Sequence, residues 1–242
     1  MAEYHSSPYT IPTVLASSEA TNYSASNVTK TAIQRSWRSN STSGETLTMD
    51  LGATKSVSAL WLQGINFDSA TLEGTTDDPS GTPSWTSLGT LSTLKEDNGR
   101  WKSYMTGSWS YRAFRITPST TSHSYFEIGV VYVFATNTSL PVNFQWGITV
   151  NRRKPRVARQ LRNGQTRVAD TGPKFSTVEG TFRLHSTSQS VSDLAEESGI
   201  IGLVVDTDYS WVWPMRFVDT EYSVSNPDPG IRDQQLRFEE VV

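Results

Sequence analysis

Apolar and polar residues alternate along several stretches of the chain, and this period of two is typical of half-buried β-strands. The clearest cases are residues 126–134 and 142–150, where every second residue is apolar, most of them large. Shorter or more continuous apolar stretches lie at 47–51, 57–62, 114–116, 182–184, 201–205, 209–213 and 236–238. The pattern therefore predicts a mainly β protein.

One segment has the pattern of a helix instead. Ser190 or Ser192 can cap its N terminus, and Gly199 suits the position just beyond its C terminus. Leu194 and Ala195 supply an apolar side. Because a helix of about eight residues is not stable by itself, we expect it to pack on a sheet.

A short polar stretch closed by a proline, residues 135–141, separates the two clearest strands. Such stretches are typical of linkers. The chain has 242 residues, which is enough for two cores of ordinary size. We therefore predict two domains, residues 1–138 and 139–242, and the lack of an internal repeat indicates that they differ in kind.

Short motifs in the first half follow a fixed order across residues 14–134. They are Ala16-Ser17-Ser18, Tyr23-Ser24-Ala25-Ser26-Asn27-Val28, Trp37, Leu47-Thr48-Met49-Asp50-Leu51-Gly52, Val57-Ser58-Ala59-Leu60, Trp85-Thr86-Ser87-Leu88, Arg112-Ala113-Phe114-Arg115-Ile116 and Phe126-Glu127-Ile128-Gly129-Val130. In this order the half resembles the discoidin or coagulation-factor C-type family. The resemblance implies a galactose-binding-like jelly-roll β-sandwich of eight strands with ligand loops at one end.

Sugar binding at such loops would use exposed aromatic faces beside hydrogen-bonding side chains. The candidate ligand residues in loop-like segments are Tyr23, Asn27, Trp109, Tyr111, His123 and Tyr125. Trp37, Trp61 and Trp85 are predicted to be core or rim residues, because bulky apolar groups are usually structural.

Members of this family often stabilise a loop with calcium, which binds to oxygen ligands. Asp68, Asp77 and Asp78 are the candidates, but they lack the spacing of a calcium cage. A solvated turn over residues 75–81 explains the last two at least as well. The sequence predicts no metal site and no cofactor.

The second half resembles the ring-forming β-barrel domain of distal tail and tail-tip proteins from long-tailed bacteriophages. The matching features are the strand at 142–150, the basic segment after it, Phe182 and Leu184, Ser192-Asp193-Leu194-Ala195-Glu196-Glu197-Ser198-Gly199, Tyr209-Ser210-Trp211-Val212-Trp213-Pro214, and Leu236-Arg237-Phe238-Glu239-Glu240-Val241-Val242. The resemblance implies a β-barrel or β-sandwich domain with one short helix, assembled into a hexameric ring. In the distal tail family, however, the ring domain usually comes first, whereas this chain has the reverse order.

Residues 152–167 contain seven basic residues and no acidic ones. A solvated hairpin explains them, but arginines also pair bidentately with carboxylates of a neighbouring subunit. The predicted subunit interface is Arg152, Arg153, Lys154, Arg156, Arg159 and Arg162. A third possibility, that the segment lines a channel through which DNA passes, ranks last. A strongly positive channel wall would bind the DNA and hold it in place.

The chain is not expected to be an enzyme. Its three histidines, His5, His123 and His185, lie far apart, and no nucleophile elbow, phosphate loop or zinc-binding His pair occurs. Without cysteine there is no thiol nucleophile. The carboxylate pair of a glycosidase can be distant in sequence, so that chemistry stays open.

Charge and hydropathy argue against two classes of partner, nucleic acids and membranes. A net charge of −3 argues against a nucleic-acid binder driven by overall charge. No stretch approaches the roughly 20 apolar residues of a membrane span, and the first residues lack an export signal. We expect neither specific nucleic-acid binding nor membrane insertion.

These observations lead to a structural role. The C-terminal domain is predicted to build a ring in a virion tail tip or baseplate, made in the host cytoplasm. The N-terminal sandwich would project outward and contact a host-surface glycan or other tail proteins, with weak contacts multiplied by copy number. The alternative is a free-standing carbohydrate-binding protein or the binding module of a glycan-degrading enzyme.

Overall fold

The computed structural model describes residues 3–30, 35–95, 101–139, 149–153, 156–160, 166–170, 175–184, 200–206, 211–217, 223–228 and 231–240. The chain divides into two compact units. Residues 5–137 form the first, and residues 138–242 with the first four residues form the second. Within these ranges the regular elements are 17 strands and one 3₁₀ helix, and the strands pair in antiparallel fashion. The predicted mainly β fold is confirmed.

Strands β1 to β9 are Glu3–Pro8, Thr13–Ala16, Trp37–Arg38, Leu47–Ile65, Ser69–Thr75, Thr86–Lys95, Trp101–Pro118, Glu127–Ile128 and Val130–Ser139. Strands β10 to β17 are Thr149–Arg153, Arg156–Gln160, Thr166–Asp170, Phe175–Leu184, Ile200–Asp206, Trp211–Phe217, Ser223–Asp228 and Ile231–Glu240. A short 3₁₀ helix covers Ala25–Thr29.

Strands β4 and β7 form a long ribbon on which the first unit is built. Residues 47–50 pair with 113–116, and residues 55–65 pair with 101–111, with a register shift between the two parts. Gly52 lies at this shift with a φ of 78°, a conformation that favours glycine. Its N–H donates to Asp50 Oδ1 at 2.8 Å, which fixes the bend.

Both parts of the ribbon contribute to one apolar core. Leu47, Met49 and Leu51 before the bend and Leu60 and Leu62 after it are buried in the same cluster. On one side of the bend the ribbon pairs with β2 and β5, and on the other with β9. Two sheet layers therefore enclose the core, and the expected N-terminal β-sandwich is confirmed.

The three predicted structural tryptophans divide as expected between core and rim. Trp37 and Trp61 are buried, and Trp37 Nε1 donates to the Ser18 carbonyl at 2.9 Å. Trp85 is half-buried, and the Arg115 guanidinium lies 4.3 Å from its ring centroid.

The second unit contains an antiparallel sheet in the order β10, β13, β17, β15, β14, with β16 also paired to β17. Strands β11 and β12 form a separate two-stranded hairpin. The predicted helix near residues 190–198 lies outside the described residues. Among the helices in the described ranges, none has the length and hydropathy to cross a membrane.

Candidate ligand site at the loop end of the first unit

The short β3–β8 pair brings two distant segments together beside the core. Trp37 pairs with Ile128, so that their neighbours Arg38 and Glu127 also lie opposite each other. The backbone N–H of Arg38 donates to the Tyr23 carbonyl at 3.3 Å, while its carbonyl accepts from Ala20 at 2.8 Å. The segment before the 3₁₀ helix is thereby held against β3.

Arg38 lies between two aromatic rings. Its guanidinium carbon is 3.9 Å from the centroid of Tyr23 and 4.7 Å from that of Tyr125. Its Nε donates to Glu127 Oε1 at 3.0 Å, and the hydroxyl of Ser36 donates to the same oxygen. The two side chains of the ion pair are 28% and 21% exposed, so the site is open to a ligand at its rim.

The positive charge of Arg38 is stabilised by its neighbours, above all by Glu127. Burial disfavours the guanidinium charge, but the hydrogen bond and the charge of Glu127, with smaller contributions from the two tyrosines, raise the pKa of Arg38 above its usual value. The side chain is thus a permanent cation with a restricted orientation.

Asn66 fixes the loop that carries Tyr125. It follows directly after β4, and its Nδ2 donates to the Tyr125 carbonyl at 2.9 Å. Its Oδ1 accepts the backbone N–H of Glu127 at 2.7 Å, and its own carbonyl accepts from the Thr121 hydroxyl at 2.6 Å. One amide therefore fixes the backbone of both residues, Tyr125 with the aromatic ring and Glu127 with the carboxylate.

The predicted residues Tyr23, His123 and Tyr125 come together at this end. His123 is exposed, and its ring centroid lies 5.8 Å from that of Tyr125. Asn27 belongs to the adjoining segment, where its Nδ2 donates to the Ser36 carbonyl at 3.1 Å and its Oδ1 accepts from Lys30 Nζ at 3.1 Å. Its amide therefore holds the segment in shape.

Trp109 and Tyr111 lie at the other end of the unit, beside the bend of the ribbon. They pair with Val57 and Lys55, and both rings pack on Phe114 at centroid distances of 6.2 and 6.1 Å. The expectation that they lie in loop-like segments is wrong, because both belong to β7, and the structure does not place them with the other predicted ligand residues.

Of the three aspartates considered for calcium, two accept hydrogen bonds from the protein and the third is exposed to solvent. Asp77 Oδ2 accepts the Ser84 N–H at 2.9 Å, and Asp78 accepts from Ser80 and Arg112. Asp68 is exposed. Over the described ranges, no three His, Cys, Asp or Glu residues form a group that could hold a metal ion.

The predicted interface residues lie in the second unit. Arg152 and Arg153 end β10, while Arg156 and Arg159 belong to β11. Lys154 and Arg162 lie outside the described residues.

Arg38, Asn66 and Glu127 were not among the candidates from sequence. Glu127 is a polar residue within the alternating pattern of residues 126–134 and belongs to the motif Phe126-Glu127-Ile128-Gly129-Val130. Arg38 likewise follows the buried Trp37 directly. Neither position indicates its partner.

The site offers several hydrogen-bonding groups to a ligand. Within the described part of the chain, the Nη groups of Arg38 and the hydroxyls of Tyr23 and Tyr125 have no hydrogen-bond partner. Oε2 of Glu127 likewise accepts no hydrogen bond there. Donors and an acceptor set between aromatic rings suit a ligand rich in hydroxyl groups.

No protein-family model matches the chain. No curated protein matches it either.

Several solved structures resemble about half of the chain, and carbohydrate-binding modules are among them. One is a mutant of chitosan-binding module 1 from a Paenibacillus sp. IK-5 chitosanase/glucanase (22% identity, 54% of this chain and 98% of that one, TM-score 0.45). Another is the family 32 module of C. perfringens NanJ in complex with galactose (19%, 52% and 98%, 0.42). A third is a family 32 module from a family 31 glycoside hydrolase of Clostridium perfringens (13%, 53% and 95%, 0.44).

Proposed function

We propose that the first unit is a carbohydrate-binding module and that its ligand occupies the loop end around Arg38. The observation that carries this proposal is the clamped guanidinium, which lies between Tyr23 and Tyr125 with its Nη groups unpaired within the described residues. A saccharide can accept hydrogen bonds from these groups and donate one to Glu127. The role is binding rather than catalysis.

The restricted geometry of the site favours this role. Two ring contacts and an ion pair hold the side chains, and the Asn66 hydrogen bonds hold the backbone of Tyr125 and Glu127, before any ligand arrives. A preorganised site loses less conformational entropy on binding than a flexible one. Weak single-site affinity would still suffice if several copies act together.

A glycan array followed by calorimetry tests the proposal, with galactose and chitosan oligosaccharides among the probes. Wild type should bind at least one glycan, and Tyr125→Ala should weaken that affinity by at least about tenfold, which corresponds to about 1.4 kcal/mol. Trp109→Ala is the matched aromatic control and should bind like wild type. The proposal is wrong if wild type binds no glycan, or if Tyr125→Ala binds as tightly as wild type.

We also propose that the second unit assembles copies of the chain into a ring at the tail tip of a bacteriophage, with the first unit as the peripheral module. The separate β11–β12 hairpin with its dense positive charge favours an assembly role. Immunogold labelling of purified virions tests this role. Label confined to the distal tail would support it, and a chain absent from virions would contradict it.

A further inference from the structure

A second aromatic ring lies on an ion pair, in the sheet layer that contains β2 and β5. The Arg115 guanidinium carbon is 4.3 Å from the centroid of Trp85, and Arg115 Nε and Nη2 lie 2.8 and 2.7 Å from Glu73 Oε2. The side chains of Arg115 and Glu73 are 27% and 20% exposed, close to the 28% and 21% of the Arg38–Glu127 pair. The combination of groups found at the loop end thus occurs a second time, on different elements.

The strand register places Arg115 in the middle of a row of residues that crosses five strands. Leu15 of β2 pairs with Thr48 of β4, which pairs with Arg115 of β7. Arg115 also pairs with Glu73 of β5, which pairs with Ser87 of β6. Because neighbouring strands are about 4.8 Å apart, the row is roughly 19 Å long. An extended ligand can therefore contact several of these residues at once.

This row points away from the core. Adjacent side chains of a strand point to opposite faces of a sheet, and the sequence neighbours of the row lie in or against the core cluster: Val14, Met49, Leu72, Leu88 and Phe114. At the two ends of the row, Leu15 and Ser87 are exposed. The partly exposed Arg115 and Glu73 lie between them, so the face is open to solvent along most of its length.

Polar groups beside the ring are available to a ligand. Within the described residues, Trp85 Nε1 and Arg115 Nη1 donate no hydrogen bond, and Glu73 Oε1 accepts none. The opposite charges of Arg115 and Glu73 compensate each other, so this pair offers no excess positive charge to a nucleic acid. Two donors and an acceptor beside an aromatic ring suit a chain of sugar hydroxyls.

We infer that this face, which we call the Trp85 face, is a second saccharide site that binds an extended glycan chain across the strands. A sugar ring packs on the indole, its oxygens accept from Trp85 Nε1 and Arg115 Nη1, and one hydroxyl donates to Glu73. The inference rests on the proposed function of the first unit and adds a site that shares no residue with the loop end. Two sites on one module hold a polymer more tightly than either site alone, because the second contact is intramolecular.

Fluorine NMR of the full chain labelled with 5-fluorotryptophan tests the second site, with galactan and chitosan oligosaccharides as probes. The chain contains eight tryptophans, and loss of one signal in Trp85→Phe identifies Trp85. In Tyr125→Ala, whose loop site is weakened, an oligosaccharide that binds wild type should still shift the Trp85 signal. The Trp109 signal should stay in place, because that ring packs on Phe114 at the bend.

Ser87→Arg tests the same face from its exposed end. The new side chain can pair with Glu73 on the neighbouring strand and cover the acceptor. It should abolish the residual oligosaccharide binding of Tyr125→Ala and lower the affinity of the otherwise wild-type chain for long galactan or chitosan by at least about tenfold. Ser110→Arg is the matched control at another exposed strand serine, beside the bend, and should bind like wild type.

Circular dichroism establishes that the variants fold, and Glu73→Gln, which keeps the shape of the side chain, replaces Ser87→Arg if that variant does not. The second site is overturned if an oligosaccharide that binds wild type leaves the Trp85 signal unmoved, or if Ser87→Arg/Tyr125→Ala keeps the residual binding. Either result leaves the loop site and the proposed function intact. Wild type that binds no glycan would overturn the proposed function and the second site together.

Discussion

The two ends of the first unit both carry aromatic residues, but these residues have different partners. At the loop end, Tyr23 and Tyr125 stack on a charged guanidinium that is partly exposed. At the bend, Trp109 and Tyr111 pack on the core residue Phe114. The role of an aromatic residue here therefore depends on the side chain that its ring packs against, and not on the residue type alone. A ring on an ion pair can serve a ligand, and a ring on the core serves stability.

The strongest test of this comparison is Arg38→Ala. It removes the cation between the two tyrosines and leaves Glu127 with only the Ser36 hydroxyl. We expect glycan affinity to fall at least tenfold and the free energy of unfolding to fall by about 2 kcal/mol. Calorimetry and urea unfolding measure the two effects. Arg38→Lys keeps the charge without the planar fork, so wild-type affinity in this variant would show that the fork is dispensable.

At the bend, Trp109→Ala should lower the stability of the protein and leave its glycan affinity nearly unchanged. Loss of a half-buried ring should lower the free energy of unfolding by about 2 kcal/mol, less than the 3–5 kcal/mol typical of a fully buried aromatic residue. Glycan affinity should stay within a factor of two. A large loss of affinity with unchanged stability would instead mean that the bend is a ligand site.

A smaller effect is expected from Gly74→Ala, which tests how tightly Tyr111 is packed. A Cβ at this buried position would lie 2.7 Å from two ring atoms of Tyr111, so the ring must move. We expect a loss of about 1–2 kcal/mol in chemical unfolding and no change in glycan affinity. The control is Gly81→Ala, where the nearest atom is 3.6 Å away. Equal stability of the two variants would show that Tyr111 moves freely.

The smallest effect concerns Glu45, which supports the loops near the ligand site. Burial opposes its charge, but hydroxyls of Ser17, Ser41 and Ser18 donate to the carboxylate and lower its pKa below the usual value. The ionised carboxylate therefore stabilises the folded protein at pH values above the ordinary pKa of a carboxyl group. This stabilisation is lost as the pH falls through the lowered pKa that Glu45 has in the folded protein. Glu45→Gln should cost about 1 kcal/mol at pH 7 and less at pH 3, as measured by urea unfolding. An equal loss at both pH values would show that the charge is not responsible.

Local pattern predicted the strand content and the loop positions of Tyr23, His123 and Tyr125, because alternation reports which residues leave the core. It did not identify Arg38 and Glu127, since the two residues are 89 positions apart and meet only through the β3–β8 pair. Asn66 and Tyr125 are 59 positions apart. The pattern groups Trp109 and Tyr111 with the ligand residues, because it does not reveal the bend of the β4–β7 ribbon beside which both rings pack on the core.

The bend at Gly52 also constrains how the first unit can open. Strands β4 and β7 cross from one sheet layer to the other, so neither layer can separate while its strands stay continuous with the second layer. Partial unfolding of a single layer is therefore unfavourable, and the unit should exchange its core amides as one cooperative block. Amides of residues 47–50 and 59–63 would then share the same slow exchange rate, although they belong to opposite layers.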